Sequence, residues 1–137
     1  MQGFVAPLEK LAKDNDDFRR VLFTSGQMQL ELMSLKSGEA IGSEIDSAHD
    51  QVFRIEKGKG QIKIGKAKIL VSAGDAIVVP AGLRHNLTNI GKKRLCLYTI
   101  YAPPNHAKPL MDARTSAGPA EEGRKEMINE GSPVQTP

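Results

Sequence analysis

Apolar positions change their rhythm twice along this chain. Between Pro7 and about Asn15, Leu8, Leu11 and Ala12 recur at i, i+3 and i+4, which predicts a short amphipathic helix. From Phe18 to Tyr101 the period becomes two, as in Gln61-Ile62-Lys63-Ile64. Short runs rich in Val, Ile and Leu are broken there by Ser25-Gly26, Ser37-Gly38, Gly58-Lys59-Gly60, Gly65-Lys66, Ala73-Gly74, Gly82 and Gly91. Strands are expected at roughly 18–24, 27–35, 41–46, 51–57, 60–64, 67–71, 76–79, 85–90 and 94–101. So many short strands at this spacing predict an all-β sandwich or barrel, and no solenoid repeat competes with that reading. After Tyr101 proline, glycine and charge dominate, and only Ala120 to Ile128 has the pattern for a helical turn or two. The organisation expected is a helical lead-in over 1–17, one barrel over 18–106 and an irregular tail over 107–137, packed loosely or against a partner.

Composition narrows the class. The 137 residues suit one domain, and 39% apolar with 26% charged residues is a globular mixture. A net charge of +3 is too small for a nucleic-acid footprint unless it clusters. Lys57, Lys59, Lys63, Lys66 and Lys68 do fall together, but they interleave with Ile62, Ile64 and Ile69 as the wet side of a hairpin would. The one cysteine, Cys96, lies in the apolar run Leu95 to Ile100 and has no internal partner for a disulfide, which permits a reducing compartment. The N-terminus lacks a basic stretch followed by an apolar core, and no window approaches about 18 uninterrupted apolar residues. A cytoplasmic protein without membrane or nucleic-acid partners is expected.

Two segments carry the chemistry. In Gly74-Asp-Ala-Ile-Val-Val-Pro80-Ala-Gly82-Leu-Arg-His85-Asn-Leu-Thr-Asn89, a buried strand ends at Pro80, whose fixed φ suits the first corner of a tight turn, and Gly82 permits the reversal. The return strand delivers His85 on rigid structure, with Arg84 and Asn86 on the opposite face. The other segment, Gly38 to Gly58, holds Glu44, Asp46, His49 and Gln51. On a strand Glu44 and Asp46 share a face, and two inward carboxylates cost several kcal/mol apiece unless paired, protonated or metal-bound. A cation would account for them.

These two segments resemble the paired motifs of the cupin superfamily, G(X)5HXH(X)4E(X)6G and G(X)5PXG(X)2H(X)3N. The second motif is matched throughout, by Gly74, Pro80, Gly82, His85 and Asn89. The first is matched in spacing, with Glu44 and Asp46 at the two His positions and Gln51 at the Glu position, between Gly38 and Gly58. The likeness to small single-domain cupins extends through Asn15-Asp16-Asp17-Phe18-Arg19 and Tyr98-Thr-Ile-Tyr101-Ala-Pro-Pro104-Asn-His106, covering about residues 14–106.

The resemblance implies a jelly-roll-like β-barrel with a divalent metal inside it. Glu44, Asp46, Gln51 and His85 offer three oxygens and one nitrogen, which favours Mn²⁺ or Fe²⁺, with Zn²⁺ or Ni²⁺ as alternatives. Because Asp46 stands where related cupins carry a histidine, His49 is a rival ligand, and the sets with Asp46 and with His49 both remain open. His106 could close the barrel mouth or cap the tail. Two functions follow. One is an enzyme of isomerase, lyase or oxygenase type on a small sugar- or carboxylate-like molecule, with Asp46 or Glu44 as general base. The other is a non-catalytic small-molecule-binding cupin, with or without metal. A DNA-binding regulator is disfavoured because no helix-turn-helix accompanies the barrel. The strand near Phe18 to Thr24 and the Pro-rich exit leave an edge that predicts a homodimer.

Overall fold

The computed structural model describes residues 2–104 and 111–112. One helix, α1 (Leu8–Asp14), precedes ten strands: β1 (Arg19–Thr24), β2 (Gln29–Leu35), β3 (Glu44–Ile45), β4 (Asp50–Lys57), β5 (Lys59–Ile64), β6 (Ala67–Ser72), β7 (Ala76–Val79), β8 (Arg84–Asn89), β9 (Leu95–Ala102) and β10 (Met111–Asp112). They form two antiparallel sheets, one ordered β10-β1-β2-β9-β4-β7 and the other β3-β8-β5-β6. The architecture is thus mostly β with one short helix, as the periodicities predict.

Two local differences have physical causes. The strand expected over 41–46 shrinks to Glu44–Ile45, because Ile41 and Gly42 bond individually to β8, through the Leu87 carbonyl and the Asn86 side chain. Strand β10 was not anticipated. It pairs with Arg19 and Arg20 of β1, so part of the edge assigned above to a homodimer contact is covered by the chain itself. The tail helix expected at 120–128 and His106 lie outside the described residues.

Register fixes the interior. Met33, Leu97 and Ile55 stand side by side across β2, β9 and β4, and Leu35 stands opposite Leu95. With Phe53, Ile62, Ile77, Leu87 and their neighbours they form one buried apolar cluster. Each such side chain contributes roughly 1.5–3 kcal/mol of burial. One strand step toward the other end, the same ladders present Glu31 opposite Thr99 and then Gln29 opposite Tyr101 and Gln51. All of these are buried. The barrel therefore has an apolar floor and a polar upper half.

Strand β2 is buried along its whole length, on both faces, because α1 packs over the outer side of β2, β9 and β4. Arg94 ties the helix end to the sheet. Its guanidinium donates to the Asn15 carbonyl at 2.7 Å, to Ser34 Oγ at 3.0 Å and to the Asp16 carboxylate. A cation on carbonyls at a helix C-terminus also complements the helix dipole.

Candidate metal and ligand site in the barrel

Two turns meet at the polar end. Strand β7 stops before Pro80, and Gly82 takes φ +95°, a conformation that side-chain-bearing residues rarely adopt. The Gly82 N–H then donates to the Asp46 carbonyl at 2.8 Å, and the Ala81 N–H donates to Asp50 Oδ1 at 2.9 Å. The turn that delivers His85 is thereby fastened to the turn that carries Asp46 and His49. The two distant sequence segments build one site.

Asp46 and His49 are both buried, and they face each other. Asp46 Oδ1 accepts the Ala48 N–H at 3.0 Å, a local turn bond. Both carboxylate oxygens lie within hydrogen-bond reach of His49 Nδ1, at 2.7 and 2.8 Å. A carboxylate can only accept, so Nδ1 carries the proton. In the neutral ring the lone pair is then on Nε2, which is buried and has no hydrogen-bond partner among the described residues. Tyr101 meets the His49 ring edge-on at 5.9 Å and fixes its plane.

His85 is organised in the same sense. Its Nδ1 donates to the Leu83 carbonyl at 2.9 Å, so that in the neutral ring Nε2 is the acceptor nitrogen. That Nε2 lies 3.2 Å from Gln51 Oε1, while Gln51 Nε2 donates to Thr99 Oγ1 at 3.2 Å. In the neutral ring two lone pairs face each other at this distance and repel. A proton or metal cation between them, or a half-turn of the amide, removes the repulsion. In the β3–β8 ladder Glu44 stands directly opposite His85. A crevice of about 30 Å³, room for one water, opens among Ser43, Lys63, Gly65, Arg84, His85 and Asn86.

Of the five residues singled out from the sequence, His49, Gln51 and His85 are brought to the barrel interior, and Glu44 is brought beside His85 by register. Asp46 joins them as the partner of His49 Nδ1. Among the described residues no three His, Cys, Asp or Glu side chains surround a point that would hold a metal ion. The donor atoms that the described residues bring to this end of the barrel are the two imidazoles and the Gln51 amide oxygen. The orphaned Nε2 and the opposed lone pairs of His85 and Gln51 suit such a donor set. Asn89, the last residue of the second motif, is structural: its amide donates to the Leu35 and Lys93 carbonyls at 2.9 Å and accepts the Gly91 N–H.

Sequence reasoning missed a second buried polar group. Arg19 Nη1 lies 3.2 Å from Glu31 Oε2, and Gln29 Nε2 donates to the same oxygen at 2.7 Å. Both charged residues are almost wholly excluded from water. The available signal was parity, since Gln29 and Glu31 share the face of Met33 and Leu35.

Comparison with known proteins agrees with this architecture. The family model for the Cupin domain matches residues 31–101. YrkC of Bacillus subtilis is 47% identical over 109 residues, covering 75% of this chain and 59% of that protein, so the chain spans under two thirds of that relative. Protein L612 of Acanthamoeba polyphaga mimivirus is 40% identical over 117 residues, 82% of this chain and 73% of that one. The crystal structure of BH2720 from Bacillus halodurans superposes with a TM-score of 0.79 at 39% identity, covering 82% of this chain and 89% of that chain. With its two motifs converging inside a two-sheet barrel and a family model spanning more than half its length, the chain belongs to the cupin family.

Proposed function

We propose that this cupin domain binds a divalent metal at the polar end of its barrel and acts there on a small sugar- or carboxylate-like molecule. The observation that carries the reading is His49: its Nδ1 is held by Asp46, and its Nε2 is buried without a partner among the described residues. A histidine fixed by a carboxylate on one nitrogen and bare on the other is the usual arrangement behind a metal ligand. His49 Nε2, His85 Nε2, Gln51 Oε1 and Glu44 would hold the ion, and Asp46 would set the tautomer of His49. Mixed imidazole and oxygen donors favour Mn²⁺ or Fe²⁺, with Zn²⁺ or Ni²⁺ as alternatives. When bound, such an ion supplies Lewis acidity to a substrate oxygen or open positions for O₂. The protein's own residues orient and exclude water: Tyr101 and Phe53 pack against the two imidazoles, and Thr99 positions the Gln51 amide.

A second reading rests on the same pair. The Asp46–His49 dyad leaves a bare imidazole nitrogen that can accept a proton or a hydrogen bond from a ligand directly, without metal. Elemental analysis of protein purified without chelator separates the two. The metal reading expects about one Mn or Fe per chain after incubation with the ion, lost in His49→Gln and His85→Gln variants whose circular dichroism is unchanged. Wild-type protein that stays metal-free after incubation leaves the metal-free reading.

For its setting we propose a cytoplasmic homodimer. The support is the single buried Cys96, together with the part of β1, Val21 to Thr24, that β10 does not pair with. No helix among the described residues is long and apolar enough to cross a membrane. Sedimentation as a monomer at micromolar concentration would remove the dimer.

A further inference from the structure

Strand β6 is exposed along most of its length on both faces. Only Val71 of its six residues is buried, and Ile69 and Leu70 are 50% and 68% exposed. In the ladder with β5, Ile69 stands opposite the buried Ile62 on the inner face, and Leu70 stands opposite Gln61 on the outer face. Strand β6 also ends its sheet, so among the described residues its second edge pairs with no strand. Edges are ordinarily blunted by proline, a bulge, a covering element or lysines, and the guard present on β6 is lysine, a guard that an acidic guest would neutralise. Here the register with β5 runs unbroken from Ala67 to Ser72, and a hollow of about 240 Å³ lies beside Leu70, Val71 and Ile90.

The charge on this hairpin is one-sided. Residues 59–72 contain Lys59, Lys63, Lys66 and Lys68 and no Asp or Glu. Lys63 and Lys68 stand directly opposite each other across the ladder, an arrangement that destabilises a sheet. Neither they nor Lys66 form an ion pair among the described residues. Among the described residues the Arg84 guanidinium, on the neighbouring β8, bonds only a hydroxyl, Ser43 Oγ, at 3.3 Å.

We propose that the β6 edge accepts an extended acidic segment of a partner protein as a fifth strand of this sheet. Main-chain pairing with β6 supplies the register. Alternate side chains of the guest then fall on two faces: apolar ones on the inner face beside Ile69, acidic ones on the outer face beside Lys68 and Lys63. The chemistry selects this occupant over others. A nucleic acid has no strand backbone to pair with the edge and no use for Ile69. A second copy of β6 would bring its own Lys66 and Lys68 against these.

The test uses the isotope-labelled full chain, titrated with an eight-residue peptide alternating valine and glutamate and followed by amide chemical shifts. Saturable shifts centred on residues 67–72 are expected. The affinity should fall about tenfold or more in Lys63→Glu/Lys68→Glu, and likewise when salt rises from roughly 0.05 to 0.3 M. The same peptide with lysine in place of glutamate should not bind. The proposal is overturned by an absence of shifts at about 1 mM peptide, the weak limit for a useful contact. It is also overturned by equal binding of an octaglutamate, which would mean a charge patch without strand addition, or by a dimer that Leu70→Lys dissolves, which would mean that the edge pairs with itself. None of these readouts involves the barrel interior, so the outcome is independent of the metal reading.

Discussion

The Asp46–His49 pair is the element on which the site's orientation depends, and its strength can be measured without knowing any ligand. Asp46→Ala removes the acceptor from His49 Nδ1 and from the Ala48 N–H. An unsatisfied buried donor costs about 1–3 kcal/mol, and the lost bond is charge-assisted, so Asp46→Ala should destabilise by about 2–4 kcal/mol. His49→Leu should also cost several kcal/mol, because it leaves a carboxylate buried with only the Ala48 N–H for company. In the double variant that carboxylate is gone, and Asp46→Ala on the His49→Leu background should cost at most about 1 kcal/mol or even stabilise.

A double-mutant cycle in chelator-containing buffer, followed by urea unfolding, reads the coupling. The chelator matters because a metal bound only by the folded chain would add its own stabilisation. A coupling of about 2–3 kcal/mol is expected, and with a urea slope of about 1–3 kcal/mol per molar it moves midpoints by roughly 1–2 M. Additivity to within about 0.5 kcal/mol would refute the reasoning, since two side chains in contact at 2.7 Å cannot act independently.

Other outcomes test the frame around the site. Arg19→Met should lose about 3–5 kcal/mol by removing the cation beside the buried Glu31 carboxylate, and adding Glu31→Gln should recover a large part of it; equal stability of the single and double variants by denaturant midpoint would contradict the pairing. Gly58 has φ +101°, and an added Cβ would sit 2.7 Å from the Arg94 carbonyl oxygen, whereas at Gly65, φ +60°, it would meet nothing within 4 Å. Both alanine variants pay about 1–2 kcal/mol of backbone strain, so a calorimetric melting point clearly lower for Gly58→Ala than for Gly65→Ala isolates the crowding. Burial pushes the Cys96 thiol pKa up, against weaker lowering by Arg94 and Lys57, so less thiolate is present at any pH below that value. Labelling by a thiol reagent near pH 8 should track unfolding, and fast labelling of native protein would contradict the burial.

Much of the barrel was legible from parity alone. Period two places His49, Gln51 and Phe53 on one face of β4 and its approach, and all three are buried. The same rule sends Arg84 and Asn86 away from His85, and Arg84 is exposed. Parity failed where the chain stops being a strand. Residues 46 and 49 would point to opposite faces of a continuous strand, but the turn at Ser47 and Ala48 folds them onto each other. What the sequence offered as two rival ligands is one hydrogen-bonded unit, and only the turn geometry reveals it.

The buried Glu31 shows a different limit. Solvation cost argues for turning a glutamate outward, while its shared parity with Met33 and Leu35 argues for turning it in. In β2 both faces are covered, one by the barrel and the other by α1, so the outward choice offered no water. The interior choice becomes tolerable because Arg19, on the adjacent β1, reaches the same oxygen as Gln29. Arg19 pairs in register with Met33 rather than with Glu31, so not even a correct strand alignment would have matched the two charges as cross-strand neighbours. A charged residue on the apolar parity of a strand is therefore a readable sign that a partner exists. Which partner it is depends on a long side chain crossing one step of the ladder, information that neither periodicity nor register contains.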